Sequence, residues 1–415
     1  MRYRFASASN QSATSKDPRW ASLLSQAYDA KDRPICLCSG REAPMYVAKL
    51  SNTYVLKRMP GTGYLHTAHC ESYEPPSELS GLGEMLGTAI IEDPNLGTTT
   101  LKLGFPLQKI PGRLAPTPNS DASVASVKAD GKRLGFKSLL HYLWESAGFN
   151  RWTPRMKDKR SWGVIHKYLL EALSLSLVKQ LSLSQTAYIP PRWTDESSPI
   201  AIENEMRRKE RWIKAAQFEE GKRQLLILIG EVKDISESRY GFAMAIKQIP
   251  HVPFYLDADL HRKLTKHFEN ELTLRSAFPN GHLMVIGTFG VNDALTPKFE
   301  ELALMYVDSN WLPVESLAEA ALTTLLVNQD RSFAKGMRYN LSNQKPLASA
   351  VLSDADQLPV ALYLTPANAT PIFIEAQQEL INSSNLKSWI WDLNQSIPAL
   401  PPLNHHKDQT SQEGY

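Results

Sequence analysis

Apolar positions along the chain follow two rhythms. From residue 225, "LLILIGEVKDI" is apolar almost without a break, the pattern of a strand covered on both faces. "YGFAMAIKQI", "VPFYLD", "HLMVIGTFGV" and "LALMYVDS" predict further strands downstream. Between them Leu260, Leu264, Phe268 and Leu272 recur every fourth residue, which predicts a helix, and Pro313 is placed to open another through "VESLAEAALTTLLVNQ". Strands and helices in alternation predict an α/β or α+β region.

Upstream, Leu139, Leu140, Leu143 and Trp144 form one helical stripe ended by Gly148, and "TPRMKDKRSWGVIHKYLLEALSLSLVKQL" adds a basic turn and a second amphipathic helix. "MYVAKL" and "TYVLKRM" alternate enough to form a hairpin with Asn52 in its turn. Residues 109–133 are rich in Pro and small polar residues and read as a linker. The segmentation is therefore a polar lead-in (1–30), a zinc-binding β-rich domain with linker (31–130) and a helical, winged-helix-like region (131–220). A central α/β domain (221–330), a nuclease-like α/β domain (331–400) and a disordered tail (401–415) follow.

With 42% hydrophobic and 21% charged residues, composition is that of a globular protein, and a net charge of +3 carries no argument for nucleic acid by itself. No apolar run is long enough for a bilayer and the first residues lack a signal-peptide core, so the expected location is cytoplasmic, with no membrane partner.

All three cysteines fall between Cys36 and Cys70. They read as C-x-C, a spacer, then His66 and Cys70 as H-x-x-x-C. Zinc takes four thiolate or imidazole ligands in a tetrahedron, commonly as two close pairs on separate turns. The expected metal ligands are Cys36, Cys38, His66 and Cys70, with His69 a competing fourth ligand. Such a closed set is structural; three buried thiols without metal are the alternative.

The stretch "CLCSG…VLKRMPGTGYLHTAHCESYEPP" resembles the opening of an uncharacterised bacterial family, a domain of unknown function marked by three N-terminal cysteines. The resemblance continues through "LLHYLWESAGFNRWTPRMKDKRSW" and "LLILIGEVKDI". It implies the company of conjugative plasmids and integrative elements, and other mobile-element proteins as partners, but no chemistry.

Arg151, Arg155, Lys157, Lys159, Arg160 and Lys167 cluster beside Trp152 and Trp162. Cations can neutralise phosphates and aromatic rings can stack on bases, so DNA or RNA is the expected partner here; the plain alternative is a solvated face. Two segments invite a nuclease reading. Glu231 and Lys233 form E-x-K on a strand, as in metal-dependent PD-(D/E)xK nucleases, with Asp195 or Glu203 the nearest upstream acids. Residues 333–393 resemble the same core in order of parts, with Asp354 as the metal-binding aspartate. There Tyr363 stands where a glutamate is needed, and Gln377 or Gln378 where a lysine is. The catalytic set is incomplete, so magnesium is expected only if a nuclease survives.

Phosphate-loop, dinucleotide and nucleophile-elbow motifs are missing from the sequence. The resulting expectation is a zinc-stabilised, non-catalytic nucleic-acid-binding accessory protein of a mobile element. A divalent-metal nuclease and a protein-interaction scaffold are the alternatives.

Overall fold

The computed structural model describes residues 1–50, 53–109, 132–219, 221–239, 241–355 and 358–403. Asn52, most of the expected linker and the tail from 404 lie outside the described residues. Among the described residues the chain is mixed α+β, with nine α-helices and several sheets.

Residues 1–30, expected to be a polar lead-in, are regular structure. β1 (Arg2–Phe5) and β2 (Gln11–Thr14) pair antiparallel, and α1 (Trp20–Asp29) follows. The sheet continues through β3 (Ile35–Cys36), β4 (Ala43–Leu50) and β5 (Thr53–Arg58), in the order β2-β1-β3-β4-β5. A short period-two signal hidden among serines explains the correction. Tyr3 and Phe5 point inward, and Leu23, Leu24 and Ala27 of α1 close over them.

The next stretch contains α2 (Leu82–Met85), β6 (Ile90–Asp93), β7 (Thr98–Leu101), β8 (Gln108–Lys109), α3 (Phe136–Ser146) and β9 (Arg151–Trp152). After these come α4 (Trp162–Ser174), β10 (Ser176–Val178), β11 (Leu181–Ser182), β12 (Ala187–Tyr188), α5 (Pro199–Ala216), β13 (Phe218–Glu219) and β14 (Lys222–Gln224). In the region expected to be winged-helix-like, the connection between the two helices is longer than a simple turn. Residues 147–161 join α3 to α4 and contain β9 and a 3-10 turn, whereas a helix-turn-helix motif has a turn of about three or four residues.

β15 (Leu226–Ser238), β16 (Gly241–Ile246), β17 (Phe254–Leu256), α6 (Ala258–His267), α7 (Glu269–Ala277), β18 (His282–Val291) and β19 (Pro297–Val307) build the centre. β15 pairs antiparallel with both β16 and β18, β16 with β17, and β19 with β18, while β17 runs parallel to β19. Five strands thus close into a barrel, and β12 adds to the outside of β15. Leu226, Leu228, Met244, Phe254, Val285, Phe289 and Phe299 fill its interior. Trp212 of α5 is fully buried with them, edge-on to Phe254 and Phe289. Ile227, Ile229, Met284 and Ile286 face outward into a second core with Leu139, Leu143, Trp144 and Leu169 of α3 and α4. This double burial is why the 225–235 run lacks polar alternation. The single helix expected over 260–272 is two, because Phe268 (φ −115°, ψ 30°) breaks it.

α8 (Leu317–Asn328), β20 (Phe333–Lys335), β21 (Ala350–Leu352), β22 (Val360–Thr365), α9 (Pro371–Ser383) and β23 (Lys387–Asp392) complete the chain. Ser316, not Pro313, caps α8: its Oγ accepts from Glu319 N at 3.1 Å. The last sheet runs β23-β22-β21-β20-β9, with β23 parallel to β22 and the rest antiparallel. Hydrogen-bonded ladders cross the boundaries drawn at 130, 220 and 330. β7 pairs with β10, β8 with β14, and β9 with β20. Among the described residues no helix is long and apolar enough to cross a membrane.

Candidate metal centre

Cys36 ends β3 and Cys38 follows two residues on, before a turn through Gly40, whose φ of +65° suits glycine. His66 and Cys70 lie on the loop after β5, where Cys70 N donates to Thr67 O at 2.9 Å and tightens the turn. One candidate ligand atom from each of the four residues lies within 4.8 Å of all the others. Cys36 Sγ is 3.8 Å from Cys70 Sγ, and His66 Nδ1 is 3.5 Å from Cys38 Sγ and 3.6 Å from Cys70 Sγ. A tetrahedral ion with sulfur at about 2.3 Å and nitrogen at about 2.0 Å requires S···S edges of about 3.8 Å and S···N edges of about 3.6 Å. Three of the six edges therefore match a coordination tetrahedron, and the others are no longer than 4.8 Å.

The donor environment fits as well. Cys70 is pulled below the usual thiol range, chiefly by the hydrogen bond from Cys36 and then by His66 and the backbone N–H of Ser72, against the upward push of burial. Cys36 is pushed up by the same contact and by burial. His66 presents Nδ1 to the sulfurs, while its buried Nε2 has no hydrogen-bond partner among the described residues. His69 is outside the cluster and lines a neighbouring cleft of about 1300 Å³. The cluster is a possible metal-binding Cys₃His group with all four tetrahedral positions supplied by protein.

The basic region divides. Arg151 donates to Glu71 O at 2.6 Å and to Glu74 Oε1 at 2.9 Å. Arg160 donates to Phe149 O and Asn310 O, each at 3.1 Å, and Trp162 Nε1 to Pro190 O at 2.9 Å. These three groups serve the fold. Arg155, Lys157, Lys159 and Lys167 are exposed.

The two members of E-x-K are placed in different environments. Glu231 is buried; its Oε1 accepts from Lys247 Nζ at 2.8 Å and sits 2.7 Å from His282 Nδ1. A bulge between Val232 and Asp234 leaves Lys233 exposed. Asp195 bonds Ser197 in the loop before α5, and Glu203 pairs with Arg207 on that helix's exposed face. Burial pushes the Glu231 carboxyl up, but the bonds from His282 and Lys247 outweigh it and the net shift is downward. A carboxylate lowered in the folded state stabilises above its unfolded value of about 4.5 and loses that contribution as pH falls through the folded value. The stability gap between wild type and Glu231→Gln is therefore expected to be present above about pH 4.5 and to narrow as pH falls below that value. Urea unfolding across that range checks this; a gap independent of pH would refute it.

Asp354 follows β21 but pairs with Arg331, whose Nε and Nη2 reach its Oδ1 at 3.1 and 2.9 Å. Tyr363 on β22 is wholly buried, and Gln377 on α9 bonds Thr365 and Leu364 O. Gln378 bonds Asn382 along the helix. Sequence reasoning missed His282, Lys247 and Arg331, the partners that occupy both acids. Each lies at least 16 residues away in the chain, with no local signal.

A family model described as a protein of unknown function, DUF1173, matches residues 6–394. No curated protein and no solved structure matches the chain.

Proposed function

The chain belongs to the DUF1173 family of proteins of unknown function, and on that footing we propose that it is a zinc-stabilised, non-catalytic protein that binds nucleic acid. The Cys36, Cys38, His66 and Cys70 cluster carries this reading. Three thiolates and one imidazole suit zinc, and a set without an open position suits a structural ion. Exposed Arg155, Lys157, Lys159 and Lys167 support contact with DNA or RNA phosphates. The resemblance to a plasmid-borne family adds other mobile-element proteins as proposed partners.

The nuclease alternative finds less support. Glu231 and Asp354 are each held by cations of the protein itself, which compete with magnesium for these carboxylates. From α8 to β23 the elements run helix, three strands, helix, strand, and Tyr363 is buried. That order supports a degenerate nuclease-like scaffold that has lost its metal ligands.

Two assays on untagged full-length protein test the reading. Elemental analysis is expected to find one zinc per chain. Nucleic-acid binding is expected to weaken steeply with salt, and Lys157→Glu with Lys159→Glu to lower affinity about tenfold at low salt. Magnesium- or manganese-dependent cleavage abolished by Glu231→Gln would establish the nuclease instead.

A further inference from the structure

The central barrel carries a second basic surface, distinct from residues 155–167. A cleft of about 800 Å³ opens where the turn after β15 and the β18–β19 connection meet. Arg239 stands in the first, Asn292 and Thr296 in the second. Arg223, Lys109 and Lys298 bring further cations, and Tyr255 of β17 forms part of the wall. Leu225, Leu256 and Val291 make the floor apolar.

Charge is weighted to one sign. Lys109, Arg223, Arg239 and Lys298 line the cleft with Glu300, which Lys109 holds at 2.6 Å. Arg223 and Lys298 face Asp293 and Asp257, whose side chains are 93% and 52% exposed. Exposed pairs contribute little, so an incoming phosphate can exchange for either carboxylate.

Topology places this cleft. The other outer faces of the barrel are covered: α3 and α4 pack outside β15, β18 and β19. Among the described residues α3 and α4 are not packed on β16 and β17, and α6 meets β16 instead. There Ala243 and Ala245 are only half-buried, and Ala243 pairs with Tyr255, which pairs with Lys298 across the parallel β17–β19 ladder. Small side chains beside a ring and a cation form a low platform on which a base can stack and a phosphate can be held. The strand order is that of an OB-type barrel: a long bulged first strand closes onto the fourth, the third runs parallel to the fifth, and helices lie between the third and fourth. Such barrels bind oligomers on their second and third strands between the same two loops.

We propose that this cleft binds single-stranded nucleic acid. A concave site takes a strand with unpaired bases; reading a duplex requires an element that projects into a groove. The inference shares its ligand class with the function proposed above but not its site, and the test separates them.

Fluorescence anisotropy with a labelled twelve-nucleotide oligo-dT and with a duplex of the same length, on full-length protein, supplies the measurement. The single strand is expected to bind at least tenfold tighter than the duplex. Arg239→Ala with Lys298→Ala, both exposed positions, is expected to weaken binding about tenfold and to reduce the salt slope by about 1.4, from roughly 0.7 per phosphate contact. Tyr255→Ala is expected to weaken it at least fivefold, and Tyr255→Phe to restore it, since stacking needs only the ring. Thermal melts exclude misfolding. Wild-type affinity in the Arg239/Lys298 variant overturns this site; if Lys157→Glu with Lys159→Glu then abolishes binding, the broader reading stands. No binding to either oligonucleotide overturns both, as does tighter binding of a neutral oligosaccharide for the cleft.

Discussion

Stripping the metal from the full chain, or replacing Cys70 by serine, is expected to release one zinc ion per chain and to loosen the whole N-terminal sheet. The cluster joins the end of β3 to the loop beyond β5, and Cys36 and Cys70 are members of that sheet's own core beside Tyr3, Phe5 and Leu24. That core is small, and small units lean on staples. A structural zinc site supplies on the order of 10 kcal/mol at neutral pH in isolated fingers. Hydrogen exchange followed by mass spectrometry should show amides of β1 to β5 exchanging at least a hundredfold faster after chelation, with β15 and β18 of the barrel unchanged. Unaltered protection in β1 to β5, or wild-type protein containing no metal, would sink the structural-zinc reading.

The second large effect is expected at Arg331. Its side chain is 2% exposed, bonded through two nitrogens to Asp354 Oδ1 and through Nη1 to Pro401 O at 2.7 Å. Asp354 also accepts from Ser332 N. Arg331→Met removes the cation and leaves the carboxylate enclosed, at a cost of about 3–5 kcal/mol. Pairing that change with Asp354→Leu should recover most of the loss, since an apolar pair of similar volume is often neutral or better. Denaturant titrations of wild type, both single variants and the double variant give the coupling directly. A single-variant cost below about 1 kcal/mol would show that the pair is not enclosed as described. The result also bears on nuclease tests: loss of activity in an Asp354 variant would reflect unfolding unless the melt were unchanged.

What could be read from the sequence was local. Helical stripes such as Leu139, Leu143 and Trp144, and continuous runs such as 282–291, gave elements close to those observed, because burial of one face imposes its period on the chain. Cys36, Cys38 and Cys70 were legible because cysteine is otherwise missing, and His66 because it precedes Cys70 by one turn. Barrel closure was not legible. The β15–β18 and β17–β19 ladders depend on register between distant strands, and no residue announces its partner. Lys247 and His282 likewise look like ordinary surface residues until folding brings them to Glu231. The lead-in was misread because four-residue strands among Ser and Thr give too few periods to rise above a polar background.

The pairing of β9 with β20 bears on how the chain is made. The two strands are separated by roughly 180 residues, so at about 5–20 residues per second β9 emerges from the ribosome about ten to forty seconds before its partner. During that interval Trp152, almost fully buried in the finished protein, has no sheet to cover it. A nascent chain stalled before residue 333 presents this apolar edge to chaperones and proteases. Synthesis of the C-terminal third is thus a condition for completing a sheet whose first strand was made long before.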